Sequence, residues 1–309
     1  MYNAGPSILP PGGTPVKLVD VALLFLLAAI WGASFLFMRI LAPLLGAFPT
    51  ACARTLVAGL VMVAIFAVMR KQLNWKRDFR HYLVVGVLNS AIPFFLFTWA
   101  ALRVSASVES IVNALTPLWG AVFGALILGE ALTPRKLGGI GLGVAGVVII
   151  ALFGTGAGSA GLGAEILPVL ACVAATLCYG LSGAYIRRWA KGIPSAAMTA
   201  ASLFCAGIVL LPAAALTAPP LASIAASTVF LAVVFSLLCS ALAYLIYFRL
   251  MADAGLTAAL SVTLLIPVFA FLWSWLFLGE TLRPLAFVGA AGVLGGTMMI
   301  TGVGTKKRV

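Results

Sequence analysis

Acidic side chains are scarce in this chain: seven Asp and Glu among 309 residues, with a single histidine and charged residues at only 8% of the total. So little charge cannot cover the surface of a water-exposed globule, least of all beside 63% hydrophobic residues, and lipid must be the main solvent. One histidine, no His/acid pair at metal-ligand spacing and no Gly-x-Ser-x-Gly turn argue against a membrane-embedded enzyme. No Gly-x-x-x-x-Gly-Lys-Ser/Thr stretch or soluble domain is present to house a nucleotide, so any work must be driven by gradients. The five cysteines, Cys52, Cys172, Cys178, Cys205 and Cys239, all fall in apolar stretches without the spacing of a metal site or a disulfide framework. They read as small packing residues, and neither metal nor cofactor is expected.

What the chain does have is one apolar run after another. A helix needs about 20 mostly apolar residues to cross the hydrocarbon core. Ten such spans are predicted, at 18–40, 50–69, 82–102, 107–128, 137–153, 166–186, 196–217, 228–250, 257–278 and 285–302. Membrane barrels show shorter, alternating segments instead, so the fold class is an all-α integral membrane bundle.

The net charge of +12 would suggest nucleic acid in a soluble protein, but here its distribution sets orientation. Taken loop by loop, one side collects Lys17, Arg70, Lys71, Lys76, Arg77, Arg80, Arg135, Lys136, Arg187, Arg188, Lys191, Arg249, Lys306, Lys307 and Arg308. The other holds only Arg39, Arg103 and Arg283, while Arg54 falls inside a span. Such asymmetry predicts that both termini are cytoplasmic. Residues 1–17, rich in Gly and Pro, read as a disordered cytoplasmic tail rather than a signal peptide, and 303–309 as a basic one. His81 is placed in a basic loop, without a role.

An offset of 150 positions aligns the chain with itself: Pro117, Gly129, Glu130, Leu132, Pro134, Gly139 and Gly146 meet Pro267, Gly279, Glu280, Leu282, Pro284, Gly289 and Gly296. A slightly smaller offset sets Trp31, Gly32, Ser34 and Arg39 against Tyr179, Gly180, Ser182 and Arg187. Two five-span repeats follow, at 22–151 and 167–302. An odd number of spans per repeat inverts the second relative to the first, the design that lets a midplane site open to either side in turn. Duplication that merely enlarges a bundle is the plainer alternative.

At the motif level both halves resemble the EamA family of the drug/metabolite transporter superfamily. The likeness rests on Trp31-Gly32-Ala33-Ser34, Phe48-Pro49 followed by Arg54, Ala101-Leu102-Arg103, Ser105-Ala106, Pro117, Leu128-Gly129-Glu130-Ala131-Leu132-Thr133, Gly139 and Gly146-Val147. Its closing part returns as Pro267, Leu278-Gly279-Glu280-Thr281-Leu282 and Gly289. The second half departs early, with Tyr179 for Trp31 and Thr199 near where Arg54 would fall. The resemblance implies a ten-helix exporter or exchanger of the bacterial inner membrane, often handling amino acids or related metabolites. It also implies that spans 1–4 and 6–9 surround a central cavity and that spans 5 and 10 are peripheral.

Ionisable groups inside a span are costly and need an account. Arg54 can attract an anionic substrate group, or snorkel as a structural cation. Glu109 can pair with Arg54, bind a proton during transport, or hold a structural ion pair; its counterpart is Ala259. Glu130 and Glu280 suggest coupling acids, but each precedes a helix opened by Pro134 or Pro284, where a carboxylate meets the helix dipole and Thr133 can cap, which favours a structural role. Asn89 and Asn113 face Cys239 and Thr263 across the repeat, and their asymmetry suits an asymmetric substrate. Interhelical hydrogen bonding is the competing use. Trp31, Trp99, Tyr179, Tyr244 and Tyr247 are candidate cavity walls, with Trp99 also placed for an interfacial belt. Pro93, Pro117 and Pro267 can kink their spans. Gly139-x-x-x-Gly143 and Gly292-x-x-x-Gly296 permit close helix approach, within a monomer or across a homodimer.

Together these features predict a secondary or facilitative transporter for a small molecule, probed first as an exporter of amino acids. A drug, cation or nucleoside carrier of the same superfamily is the alternative, and a channel or membrane enzyme the alternative of another class. Asp20, at a cytoplasmic edge, is the only acid in span 1, which sets cationic-drug antiport behind metabolite export.

Overall fold

A computed structural model describes residues 18–153, 166–253 and 262–301. The tails, the segment joining the predicted repeats, and the start of the ninth span with Ala259 lie outside the described residues. All regular structure among the described residues is helical, as backbone groups in lipid demand.

Helix α1 runs Leu18–Leu45 and α2 Ala47–Val68. Only Gly46 separates them, at φ 90°, a left-handed conformation that a side chain would strain. The third span opens earlier than its apolar run suggests: α3 starts at Trp75 and ends at Gly86, Val87–Ala91 is π-helical, and α4 continues over Ile92–Ala100. His81 is therefore not in a loop. It is buried on α3, with Nδ1 2.9 Å from the Tyr185 hydroxyl, because the basic residues around it occupy the outward face of an amphipathic turn.

The fourth span is broken. Helix α5, Ala106–Asn113, gives way to α6, Thr116–Leu128, at a turn that precedes Pro117. Proline cannot donate to the carbonyl four residues back, and the Thr116 hydroxyl donates to that Asn113 oxygen instead, at 2.8 Å. Helix α7 follows over Pro134–Phe153, its first turn capped by Thr133 Oγ1, which accepts from the Lys136 amide at 3.3 Å.

Beyond residue 165 come α8 (Ile166–Trp189), α9 (Ser195–Thr217) and α10 (Ala226–Ser236). A second π-helical segment, Leu237–Leu242, leads into α11 (Ala243–Asp253), followed by α12 (Val262–Leu278) and α13 (Pro284–Thr301). Among the described residues nine helices are long and apolar enough to span a bilayer, and Val262–Leu278 is a tenth, shorter apolar helix. The molecule is a multi-pass membrane protein.

Four long pairings dominate: α7 along α13, α2 along α9, α1 along α12, and α6 along α8. Glycine permits them. A Cβ on Gly139 would fall 2.7 Å from the Gly296 carbonyl oxygen, so the glycine stripes of α7 and α13 face each other within one chain. Gly32 and Gly180 play the same part toward α12 and α6, where a Cβ would meet the Ala270 backbone at 2.8 Å and Trp119 at 2.5 Å.

Candidate functional site

The two π-helical segments lie 150 positions apart and share one consequence. An inserted residue turns the following side chains off the regular helical face, and here it places Asn89 and Ser90 on one span, Cys239 and Ser240 on the other. Helix α2 packs against both segments. It carries Arg54 into the space between them.

Arg54 is 7% exposed. Its Nε donates to Ser240 Oγ at 3.2 Å, and its guanidinium carbon lies 3.8 Å from the centre of the Phe94 ring and 5.0 Å from that of Phe235. Met38 Sδ stands 3.8 Å from Nη1, and Tyr179, Cys239 and Tyr244 lie within electrostatic reach. None of these groups is an anion. A guanidinium taken out of water without a carboxylate retains part of its interaction energy from aromatic faces, worth about 2 kcal/mol when desolvated, and among the described residues no carboxylate pairs with it.

The aromatic side chains continue outward from it. Trp31 meets Tyr244 at 6.0 Å and Tyr247 at 5.5 Å between ring centres, and Tyr244 stacks on Phe248 at 6.1 Å. On the opposite flank Tyr179 stacks on Phe97 at 6.3 Å. Asn89 is half-buried on its π-helical turn beside a Ser90 hydroxyl that is buried without a hydrogen-bond partner. Asn113 is half-buried at the break between α5 and α6.

Arg54, Tyr179 and Tyr244 thus share one region, with Trp31 in ring contact with Tyr244; Trp99 does not join them. It packs under the Arg103 guanidinium, 4.5 Å from its ring centre, at the end of α4, as a belt residue would. Arg54 and Glu109 are not paired either. Glu109 is fully buried on α5, and neither of its carboxyl oxygens has a hydrogen-bond partner.

Glu130 and Glu280 both make contacts with distant parts of the chain. Glu280 Oε1 accepts from Arg39 Nε at 3.0 Å and Oε2 from the Ala106 amide at 3.1 Å, while Arg39 Nη1 also reaches the Ala101 carbonyl. Glu130 pairs with Arg187 and lines an open cleft of about 680 Å³ with Arg188 and Lys191. Sequence reasoning had aligned Arg39 with Arg187 and Glu130 with Glu280, but not crossed them. It also missed Ser240, Phe94, Phe235 and Met38 around Arg54, although the 150-position offset sets Ser240 opposite Ser90.

A family model described as the EamA-like transporter family matches residues 19–152 and again 166–302. The chain is 30% identical over 297 residues to an S-adenosylmethionine/S-adenosylhomocysteine transporter of Chlamydia trachomatis, covering 89% of this chain and 87% of that protein. It is 26% identical over 282 residues to a protein of Streptantibioticus cattleyicolor named "probable terminal-alkyne amino-acid exporter", covering 90% and 91%. It spans only 65% of the length of a WAT1-related chloroplast protein of Arabidopsis thaliana, at 27% identity. A solved crystal structure superposes with a TM-score of 0.63 over 93% of this chain and 98% of the other, at 19% identity, which shows a shared fold.

Proposed function

Since the chain belongs to the EamA-like transporter family, and two relatives are named as a transporter and an exporter, we propose that it carries small molecules bearing an α-amino-carboxylate group out of the bacterial cytoplasm. The buried, anion-free guanidinium of Arg54 carries this reading. A substrate carboxylate supplies the missing partner, and a bidentate arginine–carboxylate pair is among the stronger charge-assisted contacts. The aromatic surfaces of Trp31, Tyr179, Tyr244 and Tyr247 receive the rest of the substrate, and the amides of Asn89 and Asn113 hydrogen-bond its ammonium end.

The names of the two relatives favour the same chemistry. S-adenosylmethionine and an alkyne amino acid differ in their side groups and share an α-amino acid head. An electropositive centre also disfavours a simple organic cation, the alternative within the superfamily.

Transport proceeds by alternating access between two inverted halves, 22–151 and 167–302, driven by gradients. The 150-position repeat supports the inverted halves and the K/R asymmetry supports cytoplasmic termini, and likeness to bacterial relatives supports the inner membrane. The carrier acts as a monomer or a homodimer.

Counterflow in proteoliposomes tests the substrate. Vesicles preloaded with unlabelled amino acids, nucleosides or cationic dyes are given labelled methionine. Saturable exchange in amino-acid-loaded vesicles, lost in Arg54→Gln, is expected. Exchange supported by dyes or nucleosides alone rules out the amino-acid reading.

A further inference from the structure

Among the described residues, Glu109 is an acid inside the bundle with no hydrogen-bond or ion-pair partner. It is fully buried in the first turn of α5 with both carboxyl oxygens unpartnered. An isolated carboxylate is costly there, so the group needs either a proton or a cationic partner.

Its surroundings explain how one can replace the other. Helix α5 packs against α1, α8, α12 and α13. Arg39 of α1, Cys172 of α8 and Glu280 of the segment after α12 lie within electrostatic reach of it; the sequences of α12 and α13 contain no titratable residue. Glu280 accepts from the Ala106 amide, three residues before Glu109, and takes Arg39 for itself at 3.0 Å. Two carboxyl groups therefore lie near one helix start, and Arg39 is hydrogen-bonded to only one of them. Both cannot ionise cheaply while Arg39 serves only one.

We propose that Glu109 is the proton-binding site that couples transport to the proton gradient, exchanging its proton for the Arg39 guanidinium when the Arg39–Glu280 contact opens. In the closed arrangement Arg39 belongs to Glu280 and Glu109 holds a proton. As α1 and the segment after α12 separate, Glu280 is hydrated, Arg39 turns to Glu109, and the proton leaves to solvent. Release of the proton lowers the net charge of the three groups by one: Arg39 then offsets the Glu109 carboxylate inside the bundle, and the uncompensated charge falls on Glu280, where water solvates it. On the orientation proposed above, this end of α1 faces away from the cytoplasm, where protons enter in an energised cell. The assignment rests on the carrier reading, and its test separates the two.

In proteoliposomes, labelled methionine is followed both as counterflow without a gradient and as net flux against an opposing pH gradient. Wild-type flux is expected to rise several-fold with the gradient, and Glu109→Gln to lose that rise while keeping counterflow. Equal acceleration in Glu109→Gln, or none in wild type, overturns the assignment. Absent wild-type counterflow overturns the amino-acid reading instead. Infrared spectra of the lipid-reconstituted protein then decide on Glu109 without any substrate. A protonated-carboxyl band lost in Glu109→Gln, and also lost in Glu280→Gln because Arg39 is freed, is expected. A band unchanged by Glu280→Gln overturns the proposal.

Discussion

Arg39 and Glu280, 241 positions apart in sequence, meet at 3.0 Å, and the same two residue types meet again as Arg187 and Glu130. Each contact joins a helix from one family-model match to the segment closing the other. The two are not equally enclosed. The Arg39 and Glu280 side chains are 31% and 15% exposed, against 56% and 33% for Arg187 and Glu130.

That difference predicts unequal losses. Exposed ion pairs contribute at most about 1 kcal/mol, so Arg187→Gln is expected to leave thermal stability nearly unchanged. Arg39→Gln also strands the Ala101 carbonyl and weakens the Glu280 link to the Ala106 amide, at a cost of about 1–3 kcal/mol. Thermal unfolding in lipid nanodiscs reads the difference; equal shifts would show that the extra backbone contacts contribute nothing.

At the central site the Phe94 ring lies closest to the Arg54 guanidinium, at 3.8 Å. Phe94→Leu keeps the bulk and removes the negatively charged ring face, a change of about 0.5–2 kcal/mol. Substrate KM should rise by about two- to thirtyfold, the same magnitude converted, with normal protein levels. Ser240→Ala frees the Nε donor held at 3.2 Å and should shift KM less. A larger effect of Ser240→Ala than of Phe94→Leu would mean that orientation by the hydroxyl outweighs the ring.

Helix contact between α7 and α13 depends on glycine at particular positions only. A Cβ on Gly146 would stand 2.5 Å from the Gly289 carbonyl oxygen, whereas one on Gly141 meets nothing within 4 Å. Gly146→Ala should destabilise by about 1–3 kcal/mol through overpacking, while Gly141→Ala should be neutral or stabilising by up to about 1 kcal/mol. Equal melting temperatures for the two variants would contradict the packing.

The contrast between these sites explains how much the sequence could disclose. Ten apolar runs announce themselves because lipid imposes one length and one composition on every crossing, and the glycines of α7 and α13 stand out because their spacing repeats. The surroundings of Arg54 do not announce themselves. Phe94, Phe235 and Ser240 are ordinary apolar or small residues on distant spans, and only the π-helical insertions at Val87–Ala91 and Leu237–Leu242 turn Ser240 and its neighbours inward. A one-residue change of helical register leaves no mark in hydropathy. His81 shows the opposite failure: the basic residues flanking it hid a helix already begun at Trp75.

The break at Asn113 lies beside Pro117. Pro117 withholds the amide that would close the turn on the Asn113 carbonyl, and the Thr116 hydroxyl takes its place at 2.8 Å. In the second family-model match Pro267 occupies the corresponding position, yet α12 stays continuous through it, so proline alone does not break a span here. Pro117→Ala should let α5 and α6 join, raising thermal stability by up to about 3 kcal/mol, the helix-interior cost of proline. It should also lower the turnover of counterflow, because a continuous helix resists the bending that a break allows. Thr116→Val gives the opposite sign, leaving the Asn113 carbonyl without its donor and costing about 1–3 kcal/mol of stability. Measured together, a Pro117→Ala protein that is both more stable and slower would assign the break to transport. One that is more stable with unchanged turnover would leave it a packing feature of the fourth span.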